Sequence, residues 1–582
     1  MSYCHDLGGP CSNYNILAVA DIKDPFDGSP KVVLSSYVAE GTGCLVFVDP
    51  ASGTGEQLAL PADSGAWALL NDHDERLLVG TCASYGYLHS LDLRSRKWAP
   101  PLRVEGETYI WHLCVGSDGL VYGGTWPGCV LLRYDAHTHQ LTNLGRVSDV
   151  VGNCYSRYDH GQVPDKILID CGWEECHISL YDLASGNFQR FGEVGEAVVG
   201  FGPGFLCTRV GETHHYYSIP ELEPLGQDMA AYLPAQPVLP YKSEFGHHIR
   251  LNDNTLFSVR GQSYYLLSPQ IAEPELIPVP TQRPPTAILG LAVSNDGCVW
   301  GSSAFGQTIF SYNPESGTTW NSEVVCNSGG EVYGMAWINE SLLMSSYSHG
   351  DHIVYDPAKN WDQVHNVNPC TLQPGWPRLV RPGARSIVGP DSAFYTGWWA
   401  QYGVYGGGIS RVDPQSLEVN IWYDLVPNES VVGLASDAVN LYLVTTQRAN
   451  GLPEHSERGH FLVWHPQKGI IDQHAVEGFV PDWGVSQTEQ GAVIVIDNSL
   501  LRYDAILRCM EKVLILPERF SYMLRLQNTS LLLFGQHSVY RFDASMNTLD
   551  NLGAIPGPVR CAVQAPNGTI YLASGSHLYQ LA

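Results

Sequence analysis

The chain has 582 residues, 59 of them acidic against 32 basic, for a formal net charge of −27. That balance argues against nucleic acid or an anionic membrane as a partner, because either would need the opposite sign. The 59 Gly and 37 Pro, with 31 Tyr and 15 Trp, fit an all-β protein with many turns, and the length leaves room for roughly two to four domains.

Fifteen cysteines is an odd number, so at least one is unpaired. Cys114, Cys129, Cys298 and Cys561 lie inside apolar runs and read as small buried hydrophobes. Cys171, Cys176 and His177 form the tightest cluster, at a spacing that matches no zinc ribbon or finger. No run approaches the length of a membrane span, and MSYCHDLGGPC lacks the charged start and apolar core of a signal peptide. The expectation is a soluble, cytoplasmic chain, or a secreted or periplasmic one if the natural N-terminus has been trimmed.

In chain order, residues 1–13 are irregular, and similar units follow at roughly 14–55, 63–98, 108–145 and 154–192. The third unit shows the pattern best. Tyr109–Val115 is a strand-length apolar run closed by Ser117-Asp118-Gly119, and Leu120–Thr125 follows, closed by Pro127-Gly128. Val130–Tyr134 then ends in Asp135, and Gln140–Leu144 completes the unit. Short apolar runs separated by Asp-Gly and Pro-Gly, with no helical period, predict an antiparallel four-stranded meander. The third strand repeatedly ends in Asp or Asn, as at Asp49, Asp92 and Asp135, spaced 43 residues apart, and again at Asn313 and Asp356, also 43 apart. The region 195–285 is less regular and proline-rich. Regular units resume at 286–320 and 330–360, then 385–421 after an insertion (366–382) and 430–470 with another (447–459); three plainer ones close the chain at 480–515, 521–550 and 557–582.

A four-stranded unit of about this length is the period of β-propeller blades. The count predicts an all-β chain of tandem β-propellers with about 13–14 blades, in two rings of six to seven or seven. The boundary is expected near 324, giving domains 1–323 and 324–582. The last unit supplies three strands, which leaves the N-terminal residues to complete it.

In such blades the segment leading into the first strand and the loop joining the second to the third share one face. On that face the sequence places Trp111, His112 and Trp126, with Arg157, Tyr158, His160 and Trp173 from the next unit. Aromatic faces stack on sugar rings, and Arg pairs a carboxylate in two-pronged fashion, so the set suits an acidic sugar. The second half offers Arg378, Arg381, Arg385, Trp398, Trp399 and Tyr402, then Gln447, Arg448, Glu454, His455 and Glu457. Gly406-Gly407-Gly408 lets the backbone approach a ligand but lacks the strand-to-helix context of a phosphate loop. His349 and His352 beside Asp351 could hold a divalent metal; no other cofactor is indicated. Glu244, His247 and His248 form a further polar cluster.

Glu331–Pro357, ending HIVYDP, Ser386–Pro414, ending YGGGISRVDP, and Leu120–Asp135, with GTWPG, resemble bacterial propeller proteins whose blades read GTYPGxxxxYDP. Among propellers of this look are polysaccharide lyases acting on uronic-acid polymers, such as oligogalacturonide, ulvan and rhamnose–glucuronate lyases. The resemblance implies β-elimination, in which an Arg or metal neutralises the uronate carboxylate and a His or Tyr abstracts the C5 proton. From the loop positions, Arg157 is expected to neutralise the carboxylate, His112 or His160 to act as base and Tyr158 as acid. Trp111, Trp126, Trp173, Arg385, Trp398, Trp399 and Tyr402 are expected to bind substrate. The partner is then an acidic oligosaccharide or polysaccharide. The rival expectation is a non-catalytic scaffold that holds a sugar or a protein partner.

Overall fold

The computed structural model describes residues 3–242, 246–251, 254–268, 273–452, 458–481, 483–544 and 546–582. Glu244, Glu454, His455 and Glu457 fall outside them. The described residues form an all-β chain of small antiparallel sheets, mostly four-stranded, with no α-helix among them. Among the described residues no helix is long and apolar enough to cross a membrane.

The third unit shows why these residues form strands. Tyr109–Val115, Val121–Trp126, Val130–Asp135 and Gln140–Arg146 pair in chain order. Between the first two, the Gly116 N–H donates to the Leu120 carbonyl at 2.9 Å, and Gly119 adopts φ 76°, which glycine reaches without steric cost. The recurring Asp or Asn also has a physical explanation. Asp135 accepts from the backbone N–H of His137 at 2.8 Å, Asp182 from Ser185 at 2.8 Å and Asn313 from Glu315 at 2.9 Å. Asp413 does the same for Gln415 and Ser416, both at 3.0 Å, and these bonds hold its carboxyl down at about 2. The repeat signal is therefore a side-chain cap on the turn between the third and fourth strands.

Among the described residues, contacts divide the chain into two compact units, one holding residues within 14–241 and 246–282, the other those within 3–13 and 283–582 together with Lys242. The division follows Gln282, where the sequence placed it after residue 323. The stretch Ile288–Asn321 belongs to the second unit because its first strand packs on the strands Val332–Ile338 and Cys561–Gln564.

In the first unit, sheets begin at Ile16, Gly65, Tyr109, Tyr155, Ala197 and His248; the fifth has three strands. A single pairing, Tyr109 with Cys82 at the end of the strand Arg76–Cys82, joins the second and third sheets. Their faces pack through Ala68, Leu78, Ile110, Val121 and Leu132.

In the second unit, Cys4–Asp6 pairs with His577–Leu581, so the N-terminal strand completes the sheet of the last three strands. The first strands of successive sheets touch in order: Ile288–Val293, Val332–Ile338, Leu379–Val388, Ser430–Ser436, Val485–Thr488, Tyr522–Arg525 and Cys561–Gln564. The last of these touches the first.

Gly124, in the GTWPG segment, shows how tightly neighbouring sheets approach. A Cβ there would lie 2.2 Å from the Ser156 carbonyl oxygen, on the first strand of the next sheet. Gly124→Ala is therefore expected to destabilise the first unit by about 2 kcal/mol, read as a shift in the denaturant midpoint.

Cys114, Cys129 and Cys561 are buried as expected, whereas Cys298 is half-buried. Cys171 and His177 are buried while Cys176 is exposed, so that cluster does not converge.

Candidate functional site

The first unit brings its predicted residues together. Tyr109 stacks on Trp111 at 4.9 Å between centroids, and Trp111 also meets Trp67 at 5.2 Å and Tyr155 at 5.6 Å. Trp126 meets Tyr109 edge-on at 5.4 Å, and Trp173 lies 5.5 Å from Tyr155. The rings thus run continuously across neighbouring sheets. Trp173 is 43% exposed and holds φ 151°, a conformation that L residues seldom adopt.

A bulge in the strand Tyr155–His160 sets the polar groups. Ser156 pairs with Cys171 and Tyr158 with Asp170, which leaves Arg157 as the extra residue, directed out of the ladder. Its guanidinium lies 5.4 Å from the Trp111 ring and 5.5 Å from that of Tyr158. The His112 ring is 6.1 Å from Tyr158 and 6.5 Å from His160.

The two histidines differ in what they can do. Burial, helped by the neighbouring His160, pushes His112 down to about 4, so it is neutral at physiological pH. Its Nδ1 accepts from the Asp159 backbone N–H at 3.4 Å. The tautomer that accepts at Nδ1 carries its proton at Nε2, so His112 presents a donor rather than a base. His160 instead has its Nε2 3.3 Å from Asp170 Oδ2, and Asp170 Oδ1 accepts from the Val198 N–H at 3.0 Å. This is a histidine oriented by a fixed carboxylate. Asp159 is buried, which pushes its carboxyl well up, and its Oδ2 accepts from the Gly124 N–H at 2.6 Å. Asp159 and Asp170 were not singled out in the sequence, nor was Arg103, whose guanidinium lies 5.5 Å from the half-exposed Tyr85 ring.

The second unit disperses its predicted residues. Trp398 is fully buried, and its indole N–H donates to Ser410 Oγ at 2.7 Å, so it is a core residue and not a substrate platform. Trp398→Phe should cost about 1–2 kcal/mol of stability, by chemical denaturation, and leave ligand binding unchanged. Arg385 donates to the Leu289 carbonyl at 3.0 Å and lies 5.1 Å from the Tyr522 ring, binding three first strands of the unit together. Trp399 lines a cavity of about 560 Å³ with Phe479, Trp483 and Phe520. Tyr402 meets polar partners: its hydroxyl accepts from Arg381 Nη2 at 2.9 Å and lies 3.1 Å from that of Tyr347.

His349, Asp351 and His352 do not form a metal centre. His352 is buried, with Nδ1 2.7 Å from the Gln373 carbonyl and Nε2 2.7 Å from Ser410 Oγ, while the His349 ring packs 4.8 Å from Trp376. Among the described residues no three His, Cys, Asp or Glu side chains are placed to hold a metal ion.

The class defined by these observations is an all-β chain of repeated small sheets with an aromatic, arginine-bearing surface on one unit. No family model matches the chain, and no curated protein matches it. Among solved structures it is similar to the extracellular domain attributed to a one-component system of B. thetaiotaomicron, at 10% identity and a TM-score of 0.30, over 99% of this chain and 82% of that one. It is also similar to virginiamycin B lyase from Staphylococcus aureus, at 14% identity and a TM-score of 0.37, over 51% of this chain and 95% of that one. The tricorn protease matches at 11% identity and a TM-score of 0.32, over 90% of this chain and 57% of that one. Likenesses at these scores assign neither an activity nor a substrate.

Proposed function

We propose that the two units are β-propellers of six and seven blades, and that the basin on the first binds an acidic glycan. The regular meanders, and the unbroken order in which first strands touch in the second unit, support the propeller reading. One observation carries the functional reading: the Arg157 guanidinium lies over Trp111 and Tyr158 at the side of a continuous row of rings. Rings supply stacking faces for sugars, and a guanidinium beside them fits the planar carboxylate of a uronic acid.

The chemistry this set can perform on such a ligand is β-elimination. Arg157 neutralises the carboxylate and makes the C5 proton more acidic. His160, oriented by Asp170, takes that proton; the electron pair forms the C4–C5 double bond as the C4–O bond breaks, and Tyr158 protonates the departing oxygen. His112 serves as an N–H donor in this scheme, which leaves His160 of the two expected bases. A binding surface without catalysis is the second reading, favoured because His112, one of the two histidines beside Tyr158, offers an N–H donor and not a proton acceptor.

The test is the ultraviolet absorbance of unsaturated uronate, followed with polygalacturonate, ulvan and alginate, for wild type, His160→Ala and Arg157→Ala. Absorbance that rises with wild type and stalls with both variants supports elimination in this basin. Binding of a uronate glycan without any rise in absorbance supports the non-catalytic reading. Neither binding nor product across the panel overturns the proposal.

A further inference from the structure

Across several sheets a carboxylate stands just ahead of the first strand and is tied to the end of the second strand or the loop that follows it. Asp63 accepts from the Thr81 hydroxyl and the Tyr85 N–H, and Glu196 from the Thr208 hydroxyl. Glu429 accepts from the Thr445 hydroxyl and lies 3.0 Å from His460 Nδ1. Glu107 accepts from the Gly128 N–H at 3.0 Å and Glu518 from the Gln536 N–H at 2.9 Å. These are structural tethers that satisfy the acid, which is buried at Glu107, Glu196 and Glu429.

Glu331 occupies the same place, immediately ahead of Val332–Ile338, but lacks the tether. It is 6% exposed, and its Oε2 is buried with no hydrogen-bond partner. The hydroxyls at the end of its second strand are engaged elsewhere, Ser345 with Ser386 at 2.8 Å and Ser346 with Gln307 at 3.5 Å. Close enough to interact electrostatically lies Arg381, whose Nε is also buried and without a partner. No ion pair joins the two among the described residues. Arg381 is held aside, 4.3 Å from the Tyr347 ring, with Nη2 donating to the Tyr402 hydroxyl. The charged and titratable groups interacting with Glu331 are thus Arg381 and Tyr333, while Tyr347 and Tyr402 face Arg381.

We propose that Glu331 and Arg381 form a binding site for a neutral polyhydroxylated ligand, a saccharide hydroxyl bridging the buried carboxylate and the buried guanidinium. A group that satisfies both must donate to Oε2 and accept from Nε–H. A hydroxyl does both at once, whereas a carboxylate only accepts and an ammonium only donates. Tyr402, at 38% exposure, provides a ring face and leads to solvent. The site lies within the second unit and stands independently of the basin on the first. Burial pushes Glu331 up to about 7 despite Arg381, so the hydroxyl donor is accepted by a carboxylate that ionises near neutral pH.

The experiment is isothermal titration of the full chain with glucose, galactose, mannose and cellobiose at pH 6 and pH 8. At least one sugar is expected to bind, about tenfold more tightly at pH 8, with release of protons seen as a dependence of the heat on the buffer. Glu331→Gln should weaken binding at least tenfold at pH 8, and Tyr402→Phe, at a partly exposed position, should weaken it several-fold. Trp173→Ala on the first unit should change nothing, which separates this site from the acidic-glycan basin. Circular dichroism checks that each variant is folded. No binding by any of the four sugars overturns the proposal, as does binding that survives Glu331→Gln or weakens as pH rises.

Discussion

Glu331→Gln is expected to flatten the pH dependence of the second unit's stability. Burial raises the Glu331 carboxyl from its ordinary 4.5 to about 7, so between those values the folded state holds a proton that the unfolded state has lost. Stability from this group is therefore greatest below pH 4.5 and falls as pH rises through 7. A displacement of that size corresponds to about 3 kcal/mol, most of it lost between pH 5 and pH 8. Glutamine keeps the shape and cannot ionise, so the variant should lack this slope. Hydrogen exchange of peptides spanning 332–346 reads the second unit separately, which matters because two compact units need not unfold together. A slope unchanged in the variant would show that Glu331 is ionised normally, through a tether not formed in this structure.

The other large effect is expected in the first unit. If the basin performs elimination, His160→Ala should lower kcat by about 10²–10⁴-fold, the usual contribution of a positioned base. Arg157→Ala should weaken uronate binding about 100-fold, and Arg157→Lys should restore little, because a point charge cannot reproduce the two-pronged guanidinium contact. Asp170→Asn provides a sharper reading. Asp170 contacts His160 and has no direct part in the proposed scheme, so its loss should shift the pH profile of kcat and leave KM nearly unchanged. A His160→Ala enzyme with full activity would sink the assignment.

Much of the site on the first unit was legible because strand position and face follow from the repeat. Once Tyr109–Val115 and Tyr155–His160 are placed as first strands, Trp111, His112, Arg157 and Tyr158 fall on neighbouring ends. The bulge that turns Arg157 outward was not legible, since the extra residue breaks the two-residue alternation without leaving a mark in composition. Trp398 and Arg385 were misplaced for a related reason. Aromatic and basic residues in a second or first strand look alike whether they face solvent or a neighbouring sheet, and here Ser410 and the Leu289 carbonyl claim their polar atoms. The carboxylates at this place could have been found by aligning the units, because Asp63, Glu107, Glu196, Glu331 and Glu429 each stand one or two residues ahead of a first strand. That Glu331 lacks its tether could not.

By itself the sequence determined the strand-turn rhythm, the Asp and Asn caps on the turns, and the all-β class, because these depend on residues a few positions apart. The tertiary structure alone decided that the chain divides after Gln282, that Cys4–Asp6 joins the last sheet, and which polar groups are left buried without partners. Each of those depends on atoms brought together from distant parts of the chain, where burial and hydrogen-bond competition, and not local preference, set the energy.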